Sequence, residues 1–494
     1  MSALNLVHPE LINGPNPLLE AAAPFLTFAK LPAALKHEPL KAIDWRSLPP
    51  EYRTTLLSQA DQHYCPSRLI LDFADSVQSM LRGGLMARNP LSVAEQCRIN
   101  ALALADNMEK VHLQSLRKRA GGGILSAITG MGKSVGSERI LEAIAPQQVV
   151  VHSKSEVCGW SSLTQVLYLV IDAPFNGTPG GLLARIVEGL DALLGTDYSE
   201  TLRKLRNLDA ALLLVHKTLS NHRVGMLVID ENQQDNFDQS VWQRSFILFF
   251  LSVMNLGIPV MLLGNPQAFV RLETVSQNVR RFSTVGYYEL IPAASSGEDW
   301  WSKDYVPKMC QFMLCDEAPP MTEIIEATFG MSAGVPGLFG PIWVEAQRIA
   351  LRRGGDRTCV THADLLAAGT TSRGKGLLAI ASQISGATSL QRFIDIPAKV
   401  AVCRSESGEP NAAGPKASAE GERGVSEQMD PIRAKLERDM KAKEKAAAKR
   451  MEKANHLNPD DLRAYELKME IYAGFEGAQE PLLTSGGRAP PKLR

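Results

Sequence analysis

The chain has 494 residues, of which 45% are hydrophobic and 21% are charged. This composition excludes a wholly disordered protein, and the length predicts about two to four domains. Lys and Arg together number 53, as do Asp and Glu, so the formal net charge is zero. A uniformly basic coat for nucleic acid is therefore excluded, and any contact with DNA must come from a local basic patch.

Several classes of protein are disfavoured by simple patterns. The 7 cysteines and 9 histidines show neither C-x-x-C pairs nor ligand spacing, so we expect reduced thiols without disulfides or zinc. The N-terminus has no basic flank followed by a long apolar run, so we expect no signal peptide and a cytoplasmic protein. The apolar stretch 245–264 is long enough for a membrane span, but Asn255, Gly257 and Pro259 interrupt it. It predicts a buried helix, a turn and a strand, and no membrane contact.

The first 120 or so residues predict helices. One runs from Leu48 to about Gln62 and another from Cys65 to about Met80, before Gly83 and Gly84 break the pattern. A third helix begins after Asn89, where Ser92 and Glu95 have the spacing of a capping box.

From about Gly122 onward, short apolar strands alternate with helices. Strands are predicted at Ile124–Thr129, Gln148–His152, Gln165–Ile171, Val224–Ile229, Pro259–Leu263 and Gly286–Leu290, and helices at Ser134–Ala145, Pro179–Leu194, Leu208–Ser220 and Val241–Leu256. This alternation predicts an α/β domain with a parallel sheet covered on both faces. Helices return between about Tyr305 and Ala368, the clearest at Pro341–Arg353, which predicts a small helical lid.

The composition changes again after about Ala401. A Ser-, Gly- and Pro-rich segment predicts a flexible linker, and 430–453 predicts a solvated basic helix. A last short helix at 458–473 carries an apolar stripe of Leu462, Tyr465, Met469 and Tyr472, which either packs on the chain's own core or docks a partner. The predicted organisation is a helical N-terminal region at 1–85 that is a candidate for partner binding, an α/β nucleotide-binding core with a leading helix at 86–298, a helical lid at 299–375, a largely disordered linker at 376–429, and the charged and docking helices at 430–494.

A phosphate-binding loop is predicted where the first strand meets the next helix, at Ala127–Ser134 (AITGMGKS). Gly130 and Gly132 let the backbone curl so that its N–H groups face phosphate oxygens. Lys133 supplies a positive charge for the β- and γ-phosphates, and the hydroxyl of Ser134 is a ligand for Mg²⁺. The predicted nucleotide-binding residues are Ala127, Thr129, Gly130, Met131, Gly132, Lys133 and Ser134. The alternative is a Gly-rich turn before a helix.

Two later strands end in polar residues. Asp230 and Glu231 follow the apolar run Leu227–Ile229, and at the carboxyl edge of the sheet they would hold Mg²⁺ and polarise the attacking water, respectively. Asn265 ends the next strand and would bond to the γ-phosphate or the lytic water. The purely structural alternatives are that Asp230 and Glu231 form a solvated acidic turn and that Asn265 caps a helix before Pro266.

Basic residues offer two further roles. Arg280 and Arg281 lie before the last strand, where one of them would reach a neighbouring subunit's nucleotide, or where both are simply solvated. Candidate nucleic-acid contacts are Arg117–Arg119, Lys154 and the 430–453 helix, although none has interleaved aromatic residues.

Taken in this order, the motifs resemble those of AAA+ ATPases, and within that superfamily those of the TnsC/TniB transposition regulators, relatives of IstB and MuB. The shared motifs are GMGKS at 130–134, LVIDE at 227–231 and LLGNP at 262–266. The stretches 165–177, 181–198 (ending LLGTDY) and the lid segment 332–354 are similar to TnsC proteins. The resemblance covers roughly residues 85–370.

The resemblance implies a bacterial, ATP- and Mg²⁺-dependent ATPase that assembles as a ring or helical oligomer on double-stranded DNA. It implies partners in transposase subunits and a target-selection protein, with hydrolysis disassembling the oligomer. Lys133, Ser134, Asp230, Glu231 and Asn265 match the family's motif positions, as do Arg280 and Arg281 as a pair. Many AAA+ lids carry a G-x-x-R, whereas this chain has Gly334–Gly337 (GVPG) there. The alternatives are a helicase loader or replication initiator of the same fold, and a signalling NTPase that does not bind DNA.

Overall fold

The structure is a computed structural model that describes residues 14–111, 118–174, 177–232, 240–269, 280–282, 284–355 and 357–386. The linker segment after Ala401 and the predicted helices at 430–453 and 458–473 lie outside the described residues. The order of elements within the described part follows the sequence prediction closely, with four local differences that are given below.

Short helices and turns form the N-terminal region before one long helix. The helices are α1 (Pro17–Glu20), α2 (Leu31–Leu35), α3 (Pro50–Leu56), α4 (Arg68–Ala87), α5 (Val93–Leu104) and α6 (Met108–Val111). The predicted break at Gly83 and Gly84 is wrong, because α4 runs through both. A Cβ on Gly84 would lie 2.7 Å from the ring of Pro259. The glycine therefore serves close packing rather than helix termination, and α4 crosses the boundary predicted at 85/86.

The capping box predicted before α5 is also wrong. Ser92 is the N-cap residue, but its side chain makes no capping hydrogen bond. The Glu95 carboxylate instead accepts two bonds from the Arg98 guanidinium, at 2.8 and 2.6 Å. A bidentate, charge-assisted pair is stronger than one bond to a backbone N–H, so it takes the carboxylate away from the cap.

A five-stranded sheet in the order β4-β5-β6-β1-β7 forms the centre of the domain, and each neighbouring pair is parallel. A separate antiparallel ribbon pairs β2 with β3. The strands are β1 (Gly122–Ala127), β2 (Val149–His152), β3 (Leu163–Val166), β4 (Leu169–Asp172), β5 (Leu227–Asn232), β6 (Val260–Gly264) and β7 (Gly286–Leu290). The single strand predicted at Gln165–Ile171 is therefore wrong. The chain passes from the ribbon to the sheet between Val166 and Leu169, where both residues are buried and apolar, so hydropathy shows no change.

Helices cover both faces of this sheet, as the apolar strands predicted. They are α7 (Lys133–Ile144), α8 (Pro179–Leu194), α9 (Tyr198–Lys204), α10 (Leu208–Asn221), α11 (Ser240–Asn255) and α12 (Pro266–Phe269). Alternate residues of β6 enter two different cores: Met261 packs with α4 on one face, and Leu262 packs with α8 and α11 on the other. The prediction of a helix, a turn and a strand across 245–264 is confirmed by α11 and β6. Among the described residues, no helix is long and apolar enough to cross a membrane.

The helical lid follows β7, and its core around Trp301, Phe339 and Trp343 also includes Trp45 and Leu57 of the N-terminal region. It contains a π-helical turn (Trp300–Tyr305) and the helices α13 (Val306–Met309), α14 (Met321–Ser332), α15 (Pro336–Arg353), α16 (His362–Thr370) and α17 (Gly374–Ile384). The start predicted at Pro341 is wrong, because α15 begins at Pro336 and Pro341 lies inside it. Pro336 occupies the first turn of α15, where proline is well tolerated because backbone N–H groups there lack helical partners. Helix α17 also extends past the boundary predicted at 375/376.

Candidate functional site

The predicted phosphate loop connects β1 in the middle of the sheet to the start of α7. Gly130 and Gly132 have φ angles of +85° and +87°. Only glycine adopts this left-handed conformation at little cost, so the two glycines account for the sharp curl of the loop. Gly132 is the N-cap residue of α7 and has no side chain that could cap the first turn. The loop therefore places a helix N-terminus, with its favourable dipole, at the carboxyl edge of the sheet.

The side chain of Lys133 bridges the loop and the neighbouring strand end. Its Nζ donates to the backbone oxygen of Ala127 at 3.1 Å and to Oδ1 of Asn265 at 3.4 Å. Ala127 is fully buried and Asn265 is 7% exposed. Because β6 lies beside β1 in the sheet, the two sequence-distant motifs meet at one point. Lys133 and Asn265, each predicted separately to lie near the phosphates, are therefore neighbours in the structure.

Asp230 lies on the next strand, β5, which pairs with β6. Its side chain is 8% exposed, and it pairs in register with Asp172 of β4. The register between β5 and β6 shifts between Ile229 and Asn232, which marks a bulge where the carboxylates occur. Bulges commonly re-aim side chains next to functional sites. Glu231 belongs to β5, but its side chain lies outside the part that the structure describes.

The two arginines predicted as a pair differ in their surroundings. Arg281 donates from Nη2 to Oδ1 of Asn255 at 2.8 Å, at the end of α11. Arg280 is exposed.

A cavity of about 760 Å³ opens beside the loop. Its walls come from three parts of the chain: the segment leading into α4, the phosphate loop with α7, and the lid. Tyr64 and Ile70 line the first wall, Gly130 and Val135 the second, and Trp343 the third. The volume lies in the range of ordinary small-molecule sites. Sequence patterns showed the loop but not this cavity, since its walls are far apart along the chain.

The lid touches the phosphate loop directly, which sequence analysis missed. The N–H of Gly337, in the first turn of α15, donates to the backbone oxygen of Gly130 at 2.7 Å. Val335 packs against the same residue, because a Cβ built on Gly130 would lie 3.0 Å from its Cγ1. The only available signal was the Gly- and Pro-rich stretch 334–341, which marks a close approach of the backbone without identifying its partner.

The side chains present fit a nucleotide and a magnesium ion. The curled loop and helix N-terminus favour an anion, and Lys133 adds a positive charge there. The hydroxyl of Ser134 and the carboxylate of Asp230 are oxygen ligands of the type that Mg²⁺ prefers. Met131 is buried and Thr129 is exposed, so their backbone rather than their side chains fits the nucleotide role.

The predicted nucleic-acid contacts receive little support from their surroundings. Nζ of Lys118 lies 3.9 Å from the buried Glu95 carboxylate. Lys154 pairs with Glu156 at 2.9 Å on the surface. Arg119 is exposed, whereas Arg117 and the 430–453 helix lie outside the described residues.

Comparison with known proteins identifies the domain type. The family model of the AAA domain matches residues 116–272, which include the loop, Asp230 and Asn265. The ORC1 protein of Aeropyrum pernix, solved in complex with DNA, is 14% identical, with a TM-score of 0.35 over 65% of this chain and 86% of that one. CDC6P of Pyrobaculum aerophilum is 12% identical, with a TM-score of 0.36 over 57% of this chain and 67% of that one.

No curated protein matches the chain. The two structural likenesses are too distant to define a function here. The matched AAA domain, the parallel five-stranded sheet and the loop at its centre nevertheless agree with one another. They confirm the predicted α/β fold of the AAA+ P-loop type, followed by a helical lid.

Proposed function

We propose that this protein is an ATPase that binds Mg²⁺–ATP at the phosphate loop and uses hydrolysis as an assembly switch on duplex DNA in transposition. The observation that carries the nucleotide part is the position of Lys133, whose Nζ lies 3.1 Å from Ala127 O and 3.4 Å from Asn265 Oδ1. This places one cation between the loop and a polar strand end, where the terminal phosphates of a nucleotide fit.

Each residue then has a distinct task. Backbone N–H groups of the loop and the ammonium of Lys133 hold the phosphates, while Ser134 and Asp230 hold the metal ion. Mg²⁺, when bound, neutralises negative charge on phosphate oxygens. Glu231 accepts the proton of the attacking water, and Asn265 orients that water or the γ-phosphate. These roles follow from the motif positions together with the convergence of β1, β5 and β6 at one edge of the sheet.

The DNA and transposition parts of the proposal rest on the sequence resemblance to TnsC/TniB regulators. In that model, the chain forms a ring or helical oligomer, recruits transposase subunits and receives a target-selection protein. Arg280, exposed beside the more enclosed Arg281, is the better candidate to reach a neighbour's nucleotide. Zero net charge means that each subunit offers few DNA contacts, and assembly multiplies them into firm binding.

The test is a Glu231→Gln substitution in the full chain, with Glu142→Gln as the matched control on the exposed side of α7. Removing the proton acceptor should lower ATP turnover about 100-fold or more while ATP still binds. The variant should then persist on duplex DNA as an ATP-bound oligomer, as seen by sedimentation. Turnover at the wild-type rate would contradict the role of Glu231. Turnover and ATP binding that ignore duplex DNA would favour a nucleotide switch without DNA.

A further inference from the structure

The hydrogen bond between the lid and the phosphate loop joins two backbone groups. Gly337 is in the first turn of α15, where backbone N–H groups have no partner within the helix. Its N–H donates instead to the carbonyl oxygen of Gly130, at 2.7 Å. The loop that is proposed to hold the phosphates thus provides the hydrogen-bond acceptor for an N–H group in the first turn of a lid helix.

This contact requires glycine at position 337. A Cβ there would lie 2.8 Å from both the Cα and the carbonyl oxygen of Gly130, closer than real Cβ atoms approach. Any side chain at 337 would therefore push the lid and the loop apart. The neighbouring Gly334, which has a φ of +68°, accepts a bond from the Ala293 N–H at 3.1 Å and so fixes the approach of α15.

Holding the Gly130 carbonyl has a consequence within the loop. The peptide group is planar, so the N–H of Met131 points away from the carbonyl oxygen that precedes it. With that oxygen held by the lid, the Met131 N–H points back across the loop and donates to the Ile128 carbonyl oxygen at 3.4 Å. The lid contact thereby fixes the orientation of one peptide in the phosphate cradle.

We propose that Gly337 is a positioning residue, whose N–H holds the phosphate loop in its anion-binding conformation and couples docking of the lid to nucleotide affinity. The inference rests on the proposed function, since it assigns the regulation of that same site. Coupling of this kind is reciprocal: whatever the docked lid adds to nucleotide affinity, bound nucleotide adds to docking of the lid.

The experiment compares Gly337→Ala with Gly330→Ala in the full chain, using calorimetry with Mg²⁺–ATP. Both positions are helical and lie in the lid, but a Cβ on Gly330 meets nothing within 4 Å. We expect Gly337→Ala to weaken ATP binding about tenfold or more, and Gly330→Ala to leave it within about twofold. Gly337→Ala should also lower the thermal midpoint without nucleotide, because its Cβ meets the Gly130 backbone, whereas Gly330→Ala should not lower it. Wild-type affinity in Gly337→Ala, or an equal loss in both variants, would overturn the inference.

Two further measurements keep the test decisive. In the wild type, ATP should slow hydrogen exchange of the peptide containing Gly337, and this protection should be lost in Gly337→Ala. If Gly337→Ala does not fold, Val335→Ala removes a side-chain contact with Gly130 without adding a clash, and it should weaken binding about two- to fivefold. Unchanged affinity in Val335→Ala would then overturn the inference. A wild-type protein that does not bind ATP at all would instead overturn the proposed function itself.

Discussion

Strands β1 and β5 carry charged residues at both ends, and the two ends are built differently. At their amino ends, Lys118 precedes β1 and Arg223 precedes β5, and each approaches the Glu95 carboxylate to 3.9 Å. Arg98 closes this cluster with its bidentate bond to Glu95. At their carboxyl ends lie Lys133 and Asp230. The Lys133 ammonium there contacts neutral oxygens of Ala127 and Asn265.

We therefore assign a structural role to the Glu95 edge and, as proposed above, a ligand-binding role to the Lys133 edge. Around Glu95, one buried carboxylate faces three cationic side chains, and Nε and Nη1 of Arg223 are buried there without a hydrogen-bond partner. At the carboxyl edge, the Lys133 ammonium contacts the oxygens of Ala127 and Asn265 where an anionic ligand is proposed to bind. A variant at the amino edge should therefore change stability, and a variant at the carboxyl edge should change binding.

The largest effect is expected from Glu95→Ala. The side chain of Glu95 is 1% exposed and that of Arg98 is 3% exposed, so the substitution leaves buried guanidinium groups without their counter-ion. Breaking such a pair costs about 3–5 kcal/mol of unfolding free energy. Chemical denaturation should show this loss, whereas Glu156→Ala, in an exposed ion pair, should leave stability unchanged. A loss below about 1 kcal/mol would show that Glu95 is not a structural anchor.

Lys133→Ala should give a smaller free-energy change that appears in a different measurement. Removing the ammonium should weaken ATP binding by at least an order of magnitude, since a charge-assisted contact is worth about 1.5–3 kcal/mol. The unfolding free energy should change little. Lys303→Ala, which removes an equally charged side chain from an exposed lid pair, is the control. Unchanged ATP affinity in Lys133→Ala would remove the distinction between the two edges of the sheet.

The smallest effect is expected at a third ion pair, between Arg353 and the buried Asp364 in the lid. Burial alone raises the pKa of Asp364, but bonds from Arg353 and Thr361 outweigh it and hold the pKa below its ordinary value. The stability that this carboxylate contributes is therefore present above its unfolded pKa of about 3.9 and is lost as pH falls through the lower folded value. The half-exposed Arg353 limits the effect to less than about 1 kcal/mol.

Unfolding followed between about pH 6 and pH 2 checks this sign. Asp364→Asn removes the titrating group, so its acid-induced loss of stability should be shallower than that of the wild type. A steeper acid dependence in Asp364→Asn would contradict the assignment. The contribution of the Arg353–Asp364 pair to stability would then not lie between that of the buried Glu95 cluster and that of the exposed ion pairs.

Sequence alone predicted the parts of the fold and site that depend on neighbouring residues. The phosphate loop needs two glycines, a lysine and a serine in eight consecutive positions, so its chemistry is visible in one short segment. The positions of Asp230 and Asn265 were predictable because apolar strands that end in polar residues meet at one edge of a parallel sheet. The roles of all these residues, and those of Glu231 and the arginine pair, stay predictions.

Sequence patterns failed where a distant contact decided the outcome. Gly84 looked like a helix breaker, but Pro259 packs against it within an unbroken helix. Gly337 stood out only as the glycine found where many lids have an arginine, and its bond to Gly130 required the folded chain. The split between β3 and β4 was invisible because Leu167 is as apolar as the residues on either side of it.

The cavity beside the loop has a thermodynamic consequence for the whole fold. Its walls come from the chain around Tyr64, from the loop at Gly130 and from the lid around Trp343. These three segments are far apart along the sequence and are not held together in the unfolded chain. A molecule bound there favours only the conformation in which all three are docked. Binding therefore raises the free energy of unfolding with the logarithm of ligand concentration, by about 2.7 kcal/mol at one hundred times the dissociation constant. One small ligand thus stabilises the contacts among the N-terminal helices, the sheet and the lid for as long as it is bound.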